Sequence, residues 1–191
     1  MNDTIHLDII CAGFGGQGIM VLGKVLAEAG MLDGKHVTWM PSYGAEVRGG
    51  TAHASVKISE EPIASPFVSS ANIAIIMNGP SLDKFEKKIS VGGLLILNTS
   101  MAEREPQRKD IDIIKSPLTD EAIKLGNIRV ANVIAAGIFI AKKQVFSKDT
   151  MIKVIKKMAE GREKIIPVNI KALERGMEIG SEIASPLRGS Q

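Results

Sequence analysis

The residues of this chain best placed to do chemistry are backbone rather than side-chain groups. Residues 13–18 read Gly-Phe-Gly-Gly-Gln-Gly, a run with almost no reactive side chain. Gly13, Gly15 and Gly18 satisfy the G-x-G-x-x-G spacing of dinucleotide-binding turns. In that reading the amides of Gly16, Gln17 and Gly18 point at a ligand, and the dipole of the helix that follows favours an anion such as a pyrophosphate. The same fingerprint wants an acid near the end of the second strand to bind ribose hydroxyls. Here that segment ends Trp39-Met40-Pro41-Ser42, and the first acid beyond it is Glu46, inside another glycine-containing loop. No Gly-Lys-Ser/Thr follows the first loop, so it is not a Walker A phosphate site. The glycines could equally do no more than turn a strand tightly into a helix.

The second loop, residues 42–50 (SYGAEVRGG), places Arg48 between flexible backbone and a strand. Its guanidinium could clamp a phosphate or carboxylate, or pair with Glu46 at the surface. Trp39 and Tyr43, the only tryptophan and tyrosine, bracket this loop. Each could stack on a ligand, bury in a partner surface or pack in the core. No nucleophile–histidine–acid set and no close carboxylate pair accompanies the loops, so no catalytic residue is assigned. Cys11 is the only cysteine, which excludes an intrachain disulfide and a cysteine-bound iron–sulfur cluster. His6, His36 and His53 are scattered without zinc-ligand spacing, so no metal site is expected. These residues describe a ligand-handling domain without chemistry of its own.

The elements that must hold the loops follow from periodicity. Residues 6–12 (HLDIICA) read as a buried strand running into the first loop. A helix is predicted over 17–29, with Val21, Val25 and Ala29 on one face, Leu22 and Leu26 beside them, and Gly30 as its stop. Gly23 within that helix implies close approach by a neighbour. KHVTWM gives a second strand, and TAHASVKI alternates so cleanly that it is half-buried and not a central parallel strand. The apolar runs ANIAIIMN and LLILNT suit strands covered on both faces, with PSLDKFEKKI a short helix and VGG a turn between them. IDIIKSP is a last short strand, and helices are predicted over 131–143, 149–160 and 169–183. Strands alternating with helices give one three-layer α/β/α domain over residues 1–191, with a Rossmann-like, mostly parallel sheet. The two glycine loops are then expected to converge at the carboxyl ends of adjacent strands.

The composition fits a globular protein of 191 residues, 45% hydrophobic and 24% charged. A net charge of +3 gives nucleic-acid binding little support, and Lys153, Lys156 and Lys157 read as the solvated face of a helix. No apolar run reaches membrane-spanning length and no targeting segment opens the chain, so a cytoplasmic location without membrane contact is expected.

Taken together, GFGGQGIMVLGKVLAEAG, PSYGAEVRGGTAHASVKIS, ANIAIIMN, GGLLILNTS, ANVIAAG and NIKALERGME resemble the gamma subunit of 2-oxoacid:ferredoxin oxidoreductases, over residues 7–177. The pairing of G-x-G-G-Q-G with the later S-Y-G-x-E-x-R-G-G carries the resemblance. It implies a subunit of an oligomeric enzyme that converts a 2-oxoacid and coenzyme A to acyl-CoA and carbon dioxide while reducing ferredoxin; the small size of the chain makes 2-oxoglutarate a candidate 2-oxoacid without fixing it. It further implies alpha, beta and ferredoxin-like delta partner subunits, with thiamine diphosphate and iron–sulfur clusters bound in the partners. This chain would act as scaffold and lid, with Gly15, Gly16, Gln17, Gly18 and Arg48 contributing to coenzyme A handling. Two departures stand out: Asn72 lies where relatives often carry aspartate, and residues 44–47 (GAEV) lack the lysines that fused one-chain enzymes tend to carry there. The charge would then come from Arg48 or from another subunit. The alternative is a free-standing nucleotide-binding protein that uses the GFGGQG loop.

Overall fold

A computed structural model describes residues 5–43 and 51–184. Six strands form one mixed, mostly parallel sheet in the order β2-β3-β1-β4-β5-β6. β1 (His6–Phe14) and β4 (Ala71–Ile76) pair in parallel at its centre, and β5 (Ile89–Asn98) and β6 (Asp112–Ser116) continue the parallel half. On the other side, β3 (Thr51–Ser59) runs antiparallel to both β1 and the edge strand β2 (His36–Tyr43). The alternation in TAHASVKI thus marks the antiparallel strand, and its position corrects one expectation: β1 and β2 are not neighbours, because β3 is inserted between them.

The helical layers are unequal. On one face α1 (Ile19–Leu32), α3 (Leu118–Lys124), α4 (Ala131–Lys143), α5 (Lys148–Met158) and α6 (Ile166–Ala184) share the larger apolar core with the strands. On the other, α2 (Gly79–Phe85) covers β1 and β4, and the smaller apolar cluster there extends to β5 and, at its margin, to β6. Cys11, on central β1, is fully buried, and that burial pushes its thiol up to about 12.

Three local expectations change. The first helix does not stop at Gly30 but runs to Leu32, because the missing side chain there admits Val37 and Ile58 from β2 and β3. VGG is not a turn: it lies within β5 as a bulge, where pairing jumps from Ala71–Ile89 to Ile73–Leu94. The short helix α3, which periodicity did not reveal, is launched by Pro117 with Asp120 and Glu121 in its first turn. Helix α4 spans the predicted residues, and the close approach inferred at Gly23 is made by Ala54 and Trp39.

The tightest helix pair is α4 against α6. A Cβ at Gly137 would overlap the Leu173 carbonyl oxygen, and one at Gly176 would overlap that of Ile134. The two backbones therefore touch directly, which only glycine permits. Glu121 ties α3 to this pair, accepting from Arg175 at 2.7 Å and Lys124 at 2.6 Å. On the thin face the buried Glu86 accepts from the backbone N–H groups of Gln107 and Arg108 and from the Arg104 guanidinium.

Gly176→Ala should lower the unfolding free energy by about 1–3 kcal/mol through overpacking. Gly15→Ala, at a site open to solvent, should leave it within about 0.5 kcal/mol. Equal urea midpoints for the two variants would refute the backbone seam. Acid behaviour gives a second test. Hydrogen bonds from Lys124 and Arg175 hold the Glu121 carboxyl below its usual range. Burial pushes Glu86 up, but the bonds from Arg108, Arg104 and Gln107 outweigh it and leave that carboxyl low as well. A carboxylate lowered on folding contributes its stability fully above the unfolded value, about 4.3, and loses it as pH falls through the folded value. Stability should accordingly drop between about pH 5 and pH 3, and Glu86→Gln should flatten part of that slope. A urea midpoint series with the same slope in both proteins would remove Glu86 from the account.

Candidate functional site

β1 delivers the GFGGQG segment to the carboxyl edge of the sheet as a tight turn. The Gln17 N–H donates to the Phe14 carbonyl at 3.2 Å, and Gly16 and Gly18 take φ of 100° and 72°, values that favour glycine. The Gln17 amide is consumed by this turn and does not point at a ligand, a correction to the simple fingerprint reading. The N–H groups of Gly15, Gly16 and Gly18 have no partner among the described residues.

The Gln17 side chain is equally engaged. Its Oε1 accepts from the Phe14 N–H at 2.7 Å and from Asn78 Nδ2 at 3.3 Å, while its Nε2 donates to the Met77 carbonyl at 3.1 Å. Asn98 donates to the same carbonyl at 3.2 Å and to Thr119 Oγ1 at 2.9 Å. These side-chain amides lock the ends of β1, β4 and β5 and the start of α3 together. Gln17, expected to reach a ligand with its side chain, instead braces the loop.

Gly18 caps α1 without a side-chain hydrogen bond, and no acid lies in the first turn, so the positive helix end is not neutralised locally. From α4, Asn132 Nδ2 donates to the Gly18 carbonyl at 3.0 Å, and a Cβ at Gly18 would overlap that amide. Asn132 is 4% exposed, and its Oδ1 has no hydrogen-bond partner among the described residues.

Beside this junction a cleft of about 380 Å³ opens between α1, α4 and α5. Its walls are aliphatic and thioether side chains, Val21, Leu22, Val133, Met151 and Ile155 among them. Arg129, Arg162, Asn127, Asn132 and Asn169 supply its polar character, and none of the lining residues is acidic. Arg162 donates to the Met158 carbonyl, whereas the Arg129 guanidinium has no partner among the described residues. An apolar slot with an unpaired guanidinium and an orphaned buried amide oxygen suits a ligand with an apolar arm, an amide or hydroxyl donor and an anionic group. Sequence reading missed Arg129, Arg162 and Asn132. ANVIAAG was visible only as a helix opening, and the contact from Asn132 to Gly18 spans 114 residues.

Arg48 and Glu46, with the rest of residues 44–50, lie outside the described residues. The anchors of that loop are placed: Tyr43 pairs with Ala52, and Thr51 pairs with Phe14 at the mouth of the first loop. The residues that flank the second segment, Tyr43 and Thr51, therefore stand at the same edge of the sheet as the first loop, although β1 and β2 are separated. Trp39 packs on α1 at Gly23, while Tyr43 is 72% exposed. The dinucleotide arrangement is incomplete, since the strand beside β1 is antiparallel β3 and brings the start of a strand, not an acid at its end, to the ribose position. Among the described residues no group of three or more His, Cys, Asp or Glu could hold a metal, and no helix is long and apolar enough to cross a membrane.

The family described as Pyruvate ferredoxin/flavodoxin oxidoreductase matches residues 8–179. The ketoisovalerate oxidoreductase subunit VorA of Methanothermobacter thermautotrophicus is 35% identical over 172 residues, covering 90% of this chain but 36% of that protein. The chain thus spans about a third of the length of the first curated relatives it matches. The 2-oxoglutarate synthase subunit KorC of Methanocaldococcus jannaschii is 32% identical over 182 residues, covering 92% of this chain and 95% of that one. Among solved structures, the keto/oxoacid ferredoxin oxidoreductase gamma subunit from Geobacter sulfurreducens superposes with a TM-score of 0.80 at 26% identity, over 94% of this chain and 99% of that chain.

Removing the brace should free the turn. Gln17→Ala leaves the Phe14 N–H without its side-chain acceptor and should destabilise by about 1–3 kcal/mol. Gln17→Glu keeps the acceptor but loses the donor to Met77, and should fall between. Hydrogen exchange at the Phe14 amide reports the loop directly, and an unchanged rate in Gln17→Ala would show that the side chain does not hold it.

Proposed function

Because the chain belongs to the pyruvate ferredoxin/flavodoxin oxidoreductase family, we propose that it is the gamma-type subunit of a 2-oxoacid:ferredoxin oxidoreductase. The assembly oxidatively decarboxylates a 2-oxoacid with coenzyme A, giving acyl-CoA and carbon dioxide and passing electrons to ferredoxin. Partner alpha and beta chains and a ferredoxin-like delta chain carry thiamine diphosphate and the iron–sulfur clusters. The chemistry of this chain suits that division, since its one thiol is buried and pushed to about 12. We assign 2-oxoglutarate as the 2-oxoacid, supported by KorC relatives matched over nearly their whole length.

Within the assembly the chain holds coenzyme A and covers it. The observation that carries this reading is the cleft beside the glycine loop, with its unpaired Arg129 and the orphaned Asn132 oxygen. Apolar walls accommodate the pantetheine arm, and the Asn132 oxygen accepts from one of its amide or hydroxyl groups. The free amides of Gly15, Gly16 and Gly18, with Arg129 and Arg48, meet the phosphates. Gln17 acts through the loop as a positioning residue.

In the assembled enzyme, Arg129→Ala should raise KM for coenzyme A roughly ten- to a hundredfold, the worth of one charge-assisted hydrogen bond, with kcat nearly unchanged. Arg48→Ala should shift the same constant in the same direction. An unaltered KM in both variants would remove coenzyme A from this chain. Tight nucleotide binding by the isolated chain, read by calorimetry, would favour the free-standing alternative that the GFGGQG spacing suggests.

A further inference from the structure

The sheet face opposite α1 is covered over β1, β4 and β5 by α2 and its apolar cluster, but that cluster contains no residue of β2 or β3. Paired residues across an antiparallel ladder share a face, so this half, which no helix covers, presents Thr38 with Lys57, Met40 with Ser55 and Ser42 with His53, the Lys57 ammonium donating to the Phe67 carbonyl at 3.4 Å. All six are only half-buried. The Thr38 hydroxyl is itself shielded from solvent yet has no hydrogen-bond partner among the described residues.

A basic wall bounds this floor. The Nζ groups of Lys84 and Lys88 lie 5.2 Å and 5.6 Å from the centroid of the same Phe85 ring, and the His53 ring stacks at 4.9 Å against it. Neither lysine is in an ion pair among the described residues. The nearby carboxylates are already engaged, Asp8 by Lys57 at 3.4 Å, Asp83 by Arg104 at 2.5 Å and Glu86 by Arg104 at 2.8 Å. Two ammonium groups thus converge on one ring without a counter-ion among the described residues, and each raises the energy of the other. The His53 imidazole registers this local field: burial lowers its proton affinity, and Lys84 and Lys88 lower it further.

From this charge, unpaired among the described residues, beside a polar stretch of sheet that no helix covers, we infer that the ledge between the β2–β3 face and the Lys84–Lys88 wall receives an acidic segment of another polypeptide of the assembly. Carboxylates of that segment sit among Lys84, Lys88 and His53, and its backbone and polar groups lie over Ser42 and Ser55. The inference concerns assembly and is independent of where coenzyme A binds.

The test compares the assembly, purified through a tag on this chain, with the isolated full-length chain. Lysine acetylation followed by peptide mass spectrometry should show Lys84 and Lys88 reacting several-fold more slowly in the assembly, while Lys142 and Lys143, on the far side of the sheet, keep their rates. A carbodiimide, which joins ammonium to carboxylate only at contact, should link Lys84 or Lys88 to an aspartate or glutamate of a different chain. Lys84→Glu with Lys88→Glu should make the assembly dissociate at lower salt, whereas Lys142→Glu with Lys143→Glu should not. Equal acetylation rates in assembly and free chain would overturn the inference and leave the coenzyme A reading untouched. A crosslink to a second copy of this chain would overturn it too, by assigning the ledge to self-association.

Discussion

At the ends of β1 and β4 the chain departs in opposite directions, α1 to one face of the sheet and α2 to the other, and the side-chain amide of Gln17 fills the gap that this opens. Open α/β sheets commonly bind ligands in such a gap. Here its polar groups satisfy each other: Gln17 bridges Phe14 to Met77, Asn78 supports Gln17, and Asn98 carries the contact on to α3. The loop that would wrap a pyrophosphate is thereby held as a fixed corner. The unsatisfied side-chain groups lie to one side of it, where Asn132 and Arg129 line the cleft between α1 and α4. The side-chain part of the ligand handling proposed above follows from that displacement.

The lopsided layering has the same logic. Glycines let α4 and α6 touch backbone to backbone, so the thicker helical layer is stiff where α4 must present Asn132 to the Gly18 carbonyl. The opposite layer thins toward β3 and β2, and the sheet there is finished by polar and basic side chains instead of a helix. On the readings proposed above, one side of the molecule holds its shape around a small molecule and the other takes a surface that this chain does not supply.

Much of the architecture could be read from residue order alone, for identifiable reasons. The apolar run of β1, the glycines after it and the 3.6-residue spacing of α1 are local signals, and they predicted a strand, a turn and a helix. The strict alternation of Thr51 to Ile58 was informative as well, because a strand with one apolar face is not buried on both sides in a parallel sheet. What alternation cannot convey is the neighbour, and β3 lies between two strands that precede it in the chain. VGG misled because glycines that make a bulge and glycines that make a turn look alike in sequence. Within the site the loop was legible and the duties of its members were not. Gln17 faces inward because Met77, sixty residues away, offers a carbonyl, and Arg129 and Asn132 acquire a role only when α4 packs beside α1.

The single thiol of this chain sits on the central strand, fully buried between the helical layers and far less acidic than a free cysteine. A sulfur in that position is protected by a packed layer rather than by a local flap, since its side chain lies in the larger core and reaching it means lifting the helices from the sheet. Its modification is therefore a clock for the opening of that core. While the layer stays packed, thiol-directed oxidants and electrophiles pass it by. The first covalent mark it acquires dates the first time the helices part from the sheet.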